Sequence, residues 1–305
     1  MKILVATEKP FAKEATDGIR QIVENSGNEL SLLEKYTDVN DFYKAVADAH
    51  ALIVRSDKVT AEVIKAAQKL QIVVRAGAGY DNIDTAACTA RNIVAMNTPG
   101  QNSNAVAELA IGLMIYMYRN TFTPGTGHEL KGKKLGIHAC GNIGRLVASI
   151  AKGFGMEVYG YDPFISADYL KANGIIPLSS AQELYSTCHF VSLHIPATEE
   201  TKKSIGYELL SKMPKNGCLI NTAREAVINE PELVKAMEER PDLKYGSDMM
   251  PSNAVEMKEK FGNRFFATPK KMGAETAEAN INAGLAAANQ IVKFFQTGDT
   301  TFKVN

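Results

Sequence analysis

Short runs rich in Ile, Val, Leu and Tyr alternate along the chain with stretches whose apolar residues recur every three or four positions. This alternation predicts parallel βαβ units, with strands covered by helices on both faces. KILVAT, ALIVRS, LQIVVRAG and NIVAMN are the strands of a first block ending near Met96, with a helix pattern from Ala61 to Gln68. Residues 102–120 (NSNAVAELAIGLMIYMYRN) have the spacing of a long buried helix and follow the turn former Pro99-Gly100. TFTPGTGHELKGKK is polar and reads as a connector. KKLGIHA, EVYGYD, CHFVSLHIP, GCLINTA and RFFATP then supply the strands of a second block. A last helix pattern runs from Ala277 to Gln296 with no strand partner, so it is expected to pack back on the first block. The predicted domains are 1–98 plus 277–305, which is discontinuous, and 99–276.

Composition narrows the function classes. With 45% hydrophobic and 22% charged residues in 305, the chain is globular and long enough for two cores. Lys+Arg and Asp+Glu both number 34, which leaves no basic excess for nucleic acid or an anionic membrane. A small-molecule partner is the expectation. The start MKILVATEKPF lacks the basic head and long apolar run of a secretory signal, and no stretch of about 18 apolar residues predicts a membrane span. Cys88, Cys140, Cys188 and Cys218 are widely spaced, without a CxxC pair, so they read as buried free thiols in a reducing, cytoplasmic compartment, and no metal site is expected.

The most informative stretch is KKLGIHACGNIGRLVASIAKGFGMEVYGYD, a strand, a glycine turn, a helix and a second strand ending in Asp. Its turn reads Ala139-Cys140-Gly141-Asn142-Ile143-Gly144. Gly141 lets backbone approach a pyrophosphate, Gly144 permits close helix-to-strand packing, and the helix N-terminus offers amide donors. Asp162 stands 18 residues past Gly144, where a carboxylate accepts from ribose hydroxyls and repels a 2′-phosphate. NAD is therefore expected over NADP. The fingerprint's first glycine is replaced by Ala139, which is tolerable at that tight turn if its φ is negative.

Three further stretches carry a family resemblance: VRSDKVTAEVIKAAQKLQIVVRAGAGYDNIDTAA, MNTPGQNSNAVAELAIGLM and INTAREAVINEPEL. With the glycine motif, they make the chain similar along essentially its whole length to the D-isomer-specific 2-hydroxyacid dehydrogenases, and within that family to the phosphoglycerate dehydrogenase branch. The resemblance implies two Rossmann-like, doubly wound parallel-sheet domains with an inter-domain active-site cleft. It implies NAD-dependent oxidation of 3-phosphoglycerate to 3-phosphohydroxypyruvate in serine biosynthesis. The alternatives are a reductase of glyoxylate, hydroxypyruvate or another D-2-hydroxyacid, and a catalytically silent NAD-binding sensor. It also implies a homodimer. A chain ending at Asn305 is expected to lack the C-terminal regulatory domain of longer relatives.

Several residues acquire roles from this resemblance. In Asn221-Thr222-Ala223-Arg224 the arginine is expected to bind the substrate carboxylate and polarise the carbonyl, while Thr222, Ala223, Asp248 and His194 fall on the cofactor side. Taken alone, such an arginine is more often a solvated charge. Arg55, Lys58 and Arg75 are expected to meet the phosphate end of the substrate. Backbone amides of Ala76-Gly77-Ala78-Gly79 would cradle its carboxylate, and Asn102 matches another substrate position.

The family's acid–base histidine and its glutamate are both missing from their places. All five histidines (His50, His128, His138, His189, His194) precede Arg224, and the segment that should hold one reads Thr268-Pro269-Lys270-Lys271-Met272-Gly273. One of Lys270 and Lys271 is the expected acid–base. The glutamate position falls on or near Asn253, with Glu256 nearby. A partly desolvated lysine near Arg224, free of a carboxylate, would have its pKa lowered toward working pH.

Overall fold

The computed structural model describes residues 1–305 and divides into two units, Met1–Asn102 with Glu275–Asn305, and Ser103–Ala274. In the first unit, β1 (Lys2–Thr7), β2 (Glu29–Glu34), β3 (Ala51–Val54), β4 (Ile72–Arg75) and β5 (Val94–Asn97) form a parallel sheet ordered β2-β1-β3-β4-β5. Its central strands are apolar without interruption because both faces are buried. Ile3, Val5, Ile53 and Val74 pack with Ile19 of α1 (Lys13–Asn25) and with Ala287 and Ile291 of the C-terminal helix (Ala277–Thr297). Leu4, Ala6, Leu52 and Val54 turn the other way, onto Phe42 of α2 (Val39–Val46) and Val63 of α3 (Ala61–Ala66). The unit is completed by α4 (Thr85–Ala90). The C-terminal helix starts at Thr276, whose hydroxyl accepts from Ala279 N at 3.2 Å, and ends at left-handed Gly298.

The second unit opens with α5 (Ser103–Tyr118) and holds seven parallel strands: β6 (Lys134–His138), β7 (Glu157–Tyr161), β8 (Ile176–Pro177), β9 (Phe190–Leu193), β10 (Cys218–Asn221), β11 (Lys244–Ser247) and β12 (Phe265–Ala267). Their order is β12-β11-β10-β9-β6-β7-β8, so the winding direction reverses between β6 and β9. The strands are linked by α6 (Asn142–Gly153), α7 (Ala167–Ala172), α8 (Ala181–Thr187), α9 (Tyr207–Leu210), α10 (Glu230–Glu239) and α11 (Ala254–Phe261). One core joins Leu135, Ile137 and Ile220 to α5 and α6, and the other joins Val191, Leu193, Leu219 and Tyr245 to α8 through α11.

The apolar pattern does not predict β2, β8 or β11. Edge strand β2, ELSLLE, is only partly buried, and β8 is two residues long. In β11, Lys-Tyr-Gly-Ser, the Lys244 side chain is buried because its ammonium caps α5, donating to Met117 O at 2.9 Å and to Asn120 Oδ1 at 3.1 Å. Burial lowers its pKa. All four cysteines are free and buried, and burial raises each thiol pKa, Cys88 to about 11 and the other three to about 12. No helix is long and apolar enough to cross a membrane.

The approach to β10 is held by a single arginine. Arg240 donates to the carbonyls of Ser211 (3.0 Å), Met213 (2.9 Å) and Pro214 (3.1 Å), and its fork engages both oxygens of Asp242 at 2.9 and 2.8 Å. The Asp242 carboxylate also accepts from Asn216 N at 2.7 Å. Arg240, foremost, therefore holds the Asp242 carboxyl down at about 2. Arg240→Leu should cost about 3 kcal/mol in denaturant titrations at neutral pH, because three carbonyls and a carboxylate lose their donor. A lowered carboxyl pKa gives stability that is full above about pH 4 and lost as pH falls toward 2, about 2 kcal/mol for this shift. The gap between wild type and variant should narrow over that acid range, and a constant gap would refute the ion-pair account.

Candidate active site

Where the winding reverses, the carboxyl ends of β6, β7 and β9 open onto a cavity of about 970 Å³ whose lining includes His138, Gly141, Asp162, His194 and Lys203. The β6–α6 turn shapes one wall. A Cβ on Gly144 would strike the Ala139 carbonyl oxygen and approach Ile137 Cγ2 to 2.8 Å, so only glycine lets α6 sit this close. A Cβ on Gly141 would meet nothing within 4 Å, which leaves room for a ligand against the backbone. The first intrahelical bond runs from Arg145 N to Gly141 O at 3.1 Å, so the amides of Asn142, Ile143 and Gly144 have no partner within the helix. The negative φ that would make Ala139 tolerable at this turn is not found. Its φ is +74, a left-handed position that costs a residue with a Cβ roughly 1–2 kcal/mol. Its N–H donates to Tyr161 O at 2.9 Å, which helps to hold it there.

Asp162 is oriented before any ligand arrives. One oxygen accepts from Cys140 N at 2.8 Å and the other from Phe164 N at 2.9 Å, while each keeps a further lone pair. His194 lines the same cavity, its Nε2 on Ser192 Oγ at 3.0 Å. His138, which the sequence reading passed over, lies on the same wall. Burial brings the histidine pKa values down to about 4 for His138 and about 3 for His194, so both rings are neutral.

A second cluster forms at the ends of β10 and β11. The Asn221 side chain shapes it, accepting from Ala223 N at 3.0 Å and donating to Arg224 O at 3.1 Å. Arg224 Nη1 donates to Ala223 O at 2.9 Å, and Lys271 Nζ donates to the same oxygen at 2.7 Å. Two cations thus converge on one carbonyl. Both lysines are exposed residues, so the partial desolvation expected of the lysine is not found; Lys270 joins the local network only through its carbonyl, which accepts from Thr268 Oγ1 at 2.7 Å. Asp248 lies buried beside the cluster and accepts from Gly273 N at 3.0 Å, while its Oδ1 has no partner. Burial raises its pKa, opposed by the charges of Lys271 and Arg224 and by the Gly273 amide. Lys271 therefore has a carboxylate neighbour after all, Asp248, contrary to the carboxylate-free setting expected of it. Buried Thr222 Oγ1 and Asn253 Oδ1 have no partners, and Glu256 is exposed on α11.

The first unit presents its candidates at the ends of β3 and β4. Arg55 donates to the carbonyls of Lys9 and Pro10 at 3.2 and 3.1 Å and to Asn280 Oδ1 at 2.6 Å, and it lies over the Phe11 ring at 5.3 Å. That guanidinium is largely committed to the fold. Arg75 Nε donates to Arg55 O at 2.9 Å, and its fork occupies the space that a Cβ on Gly77 would need. Ala78 O accepts from Asn97 Nδ2 at 2.6 Å, which fixes the Ala76–Gly79 loop. Lys58 is exposed, and Asn102 keeps a buried Oδ1 without a partner.

Residues 114–270 match the family model described as D-isomer specific 2-hydroxyacid dehydrogenase, NAD binding domain. A solved structure of NAD+-bound 3-phosphoglycerate dehydrogenase from Entamoeba histolytica is 51% identical, covers 100% of this chain and 98% of that one, and superposes with a TM-score of 0.88. D-3-phosphoglycerate dehydrogenase of Methanocaldococcus jannaschii is 36% identical over 83% of this chain and 51% of its own length. Hydroxypyruvate reductase of Thermotoga maritima is 34% identical over 95% of this chain and 97% of its own. The chain spans about half the length of the curated phosphoglycerate dehydrogenases it matches.

The turn chemistry gives a direct test. Ala139→Gly should raise stability by about 1 kcal/mol in denaturant melts by relieving the left-handed residue. Gly144→Ala should lower it by about 1–3 kcal/mol, because backbone must move. If Ala139→Gly were neutral or destabilising, the left-handed turn would not be a source of strain.

Proposed function

The chain belongs to the D-isomer-specific 2-hydroxyacid dehydrogenase family and carries that family's NAD-binding domain, and from this we propose that it oxidises 3-phosphoglycerate to 3-phosphohydroxypyruvate, as in serine biosynthesis. The observation that carries the substrate assignment is 51% identity, end to end, with a phosphoglycerate dehydrogenase structure. The residues suit the cofactor. Gly141 leaves a space against the backbone, the first amides of α6 are free to receive an anion, and Asp162 is set to accept from ribose hydroxyls and to exclude a 2′-phosphate. His194, Thr222, Ala223 and Asp248 complete the proposed cofactor contacts. The chemistry that bound NAD would supply is a hydride acceptor for substrate C2.

Arg224 would hold the substrate carboxylate and stabilise charge developing on the C2 oxygen. Lys271, anchored beside it on Ala223 O, takes the hydroxyl proton in its neutral form, and its ammonium returns a proton in the reverse direction. Buried Asp248 supports Lys271 electrostatically and holds the Gly273 amide. In the first unit, Arg75 and Lys58 are the cations proposed for the phosphate, with the Ala76–Gly79 amides and Asn102 as further contacts. Arg55 orients Arg75 through its carbonyl and keeps its own guanidinium on Lys9, Pro10 and Asn280. We assign the protein to the cytoplasm, in keeping with its four free buried thiols, and expect a homodimer joined through α5, whose Tyr116 meets the 70% exposed Phe122 of the following turn edge to face. Reduction of hydroxypyruvate is the second reading, favoured by the nearly full-length match to a hydroxypyruvate reductase.

Rates of NAD reduction with 3-phosphoglycerate and with unphosphorylated glycerate separate the two, and the phosphorylated acid should win by tenfold or more. Lys271→Met should nearly abolish turnover and leave NADH binding intact, Lys270→Met should change rates less than threefold, and Arg224→Ala should lower kcat/KM by orders of magnitude. Oxidation should rise with pH through the lysine's titration and reduction should fall, since oxidation needs the neutral amine. Equal losses in both lysine variants would remove Lys271 from the mechanism. Separately, Asp162→Ala should weaken NAD and narrow its advantage over NADP, and equal use of both cofactors by the wild type would exclude the role given to Asp162.

A further inference from the structure

Strand alternation in β6 sends Leu135 and Ile137 toward α5 and α6, whereas position 136 faces α8, where a Cβ on Gly136 would press on Leu184 and Cys188. His138 shares that second face. Its ring lies edge-on to Tyr185 of α8 at 6.0 Å and tilted against Tyr161 of β7 at 5.8 Å. Packing alone would be served by an apolar residue, and an imidazole there carries two nitrogens that need partners. His138 is only 8% exposed, its Nδ1 is buried with no partner, and its Nε2 bonds to no protein atom. Nε2 is then the ring nitrogen left to the cavity that His138 lines together with Asp162 and Gly141.

The tautomer follows from burial. An N–H walled off without an acceptor is less tolerable than a bare lone pair, so the proton of the neutral ring belongs on Nε2. The result is an uncharged hydrogen-bond donor on the floor of the cavity, held in place by two tyrosine rings.

We propose that His138 is a binding residue for the adenosine half of the dinucleotide, its Nε2–H donating to an acceptor atom of that half, the purine ring nitrogens being the nearest in kind. The proposal rests on the NAD reading above and extends it. Adenosine offers acceptors without charge, which a neutral donor suits, and Asp162 on the adjoining strand end is placed for the ribose of the same half. His194 lies on the neighbouring strand end, its amide donating to His138 O at 2.9 Å; its Nε2 is on Ser192 Oγ and its Nδ1 is buried, which leaves the free donor to His138.

The test is binding to the full chain, read by NADH fluorescence and by competition with ADP-ribose and with nicotinamide mononucleotide. His138→Phe fills the same space without a donor and should weaken NADH and ADP-ribose about tenfold, leaving nicotinamide mononucleotide within twofold of wild type. His138→Gln restores a donor and should recover part of the loss. Thermal melts show that each variant is folded, and His138→Val serves if the phenylalanine variant is not. ADP-ribose affinity within twofold of wild type in a folded donor-free variant would overturn the proposal, as would equal weakening of both halves. If wild type bound no NADH at all, the cofactor reading itself would fail, an outcome separate from these.

Discussion

The close approach of α6 to β6 is the constraint on which the cofactor side of this protein depends. Gly144 has no side chain because the Ala139 carbonyl occupies the place where one would begin, and that contact sets the first turn of α6 over the end of the sheet. From it follow the free amides of Asn142 to Gly144, the open face of Gly141, and the amide of Cys140 that fixes Asp162. The strain at Ala139 belongs to the same geometry. A left-handed residue is needed to turn the strand into the helix, and this chain meets that need with a residue that adopts it at a cost.

The cluster at the ends of β10 and β11 depends on a carbonyl. Ala223 O accepts from both Arg224 and Lys271, which draws two cations together beside a buried carboxylate, Asp248. Like charges repel, so such a pair persists only where an oxygen dipole and a nearby anion offset the repulsion. Asn221 makes the carbonyl available, since its side chain holds both the Ala223 amide and the Arg224 carbonyl.

The strands that the apolar pattern predicts are those buried on both faces, where the hydrophobic signal is strongest. Those it misses have other reasons to be strands. β2 is a half-exposed edge, and β11 contains a lysine that is buried because a helix end needs a donor. His138 shows the same limit at the site. The role proposed for it comes from a ring nitrogen left without a protein partner, a property of the packed structure that spacing along the chain cannot carry.

By itself the sequence determined the two-block α/β architecture, the glycine turn with its distant Asp162, and the family motif around Arg224, because these rest on periodicity, on local backbone chemistry and on residue order. It left Lys270 and Lys271 equivalent. Tertiary structure separated them, since consecutive residues send their side chains in different directions and only Lys271 reaches Ala223 O. It also decided the sign of φ at Ala139, the commitment of the Arg55 guanidinium to Asn280 from the far end of the chain, and the carboxylate neighbour of Lys271. Each of these is a contact between residues distant in sequence or a backbone angle imposed by packing, and neither is written in local pattern.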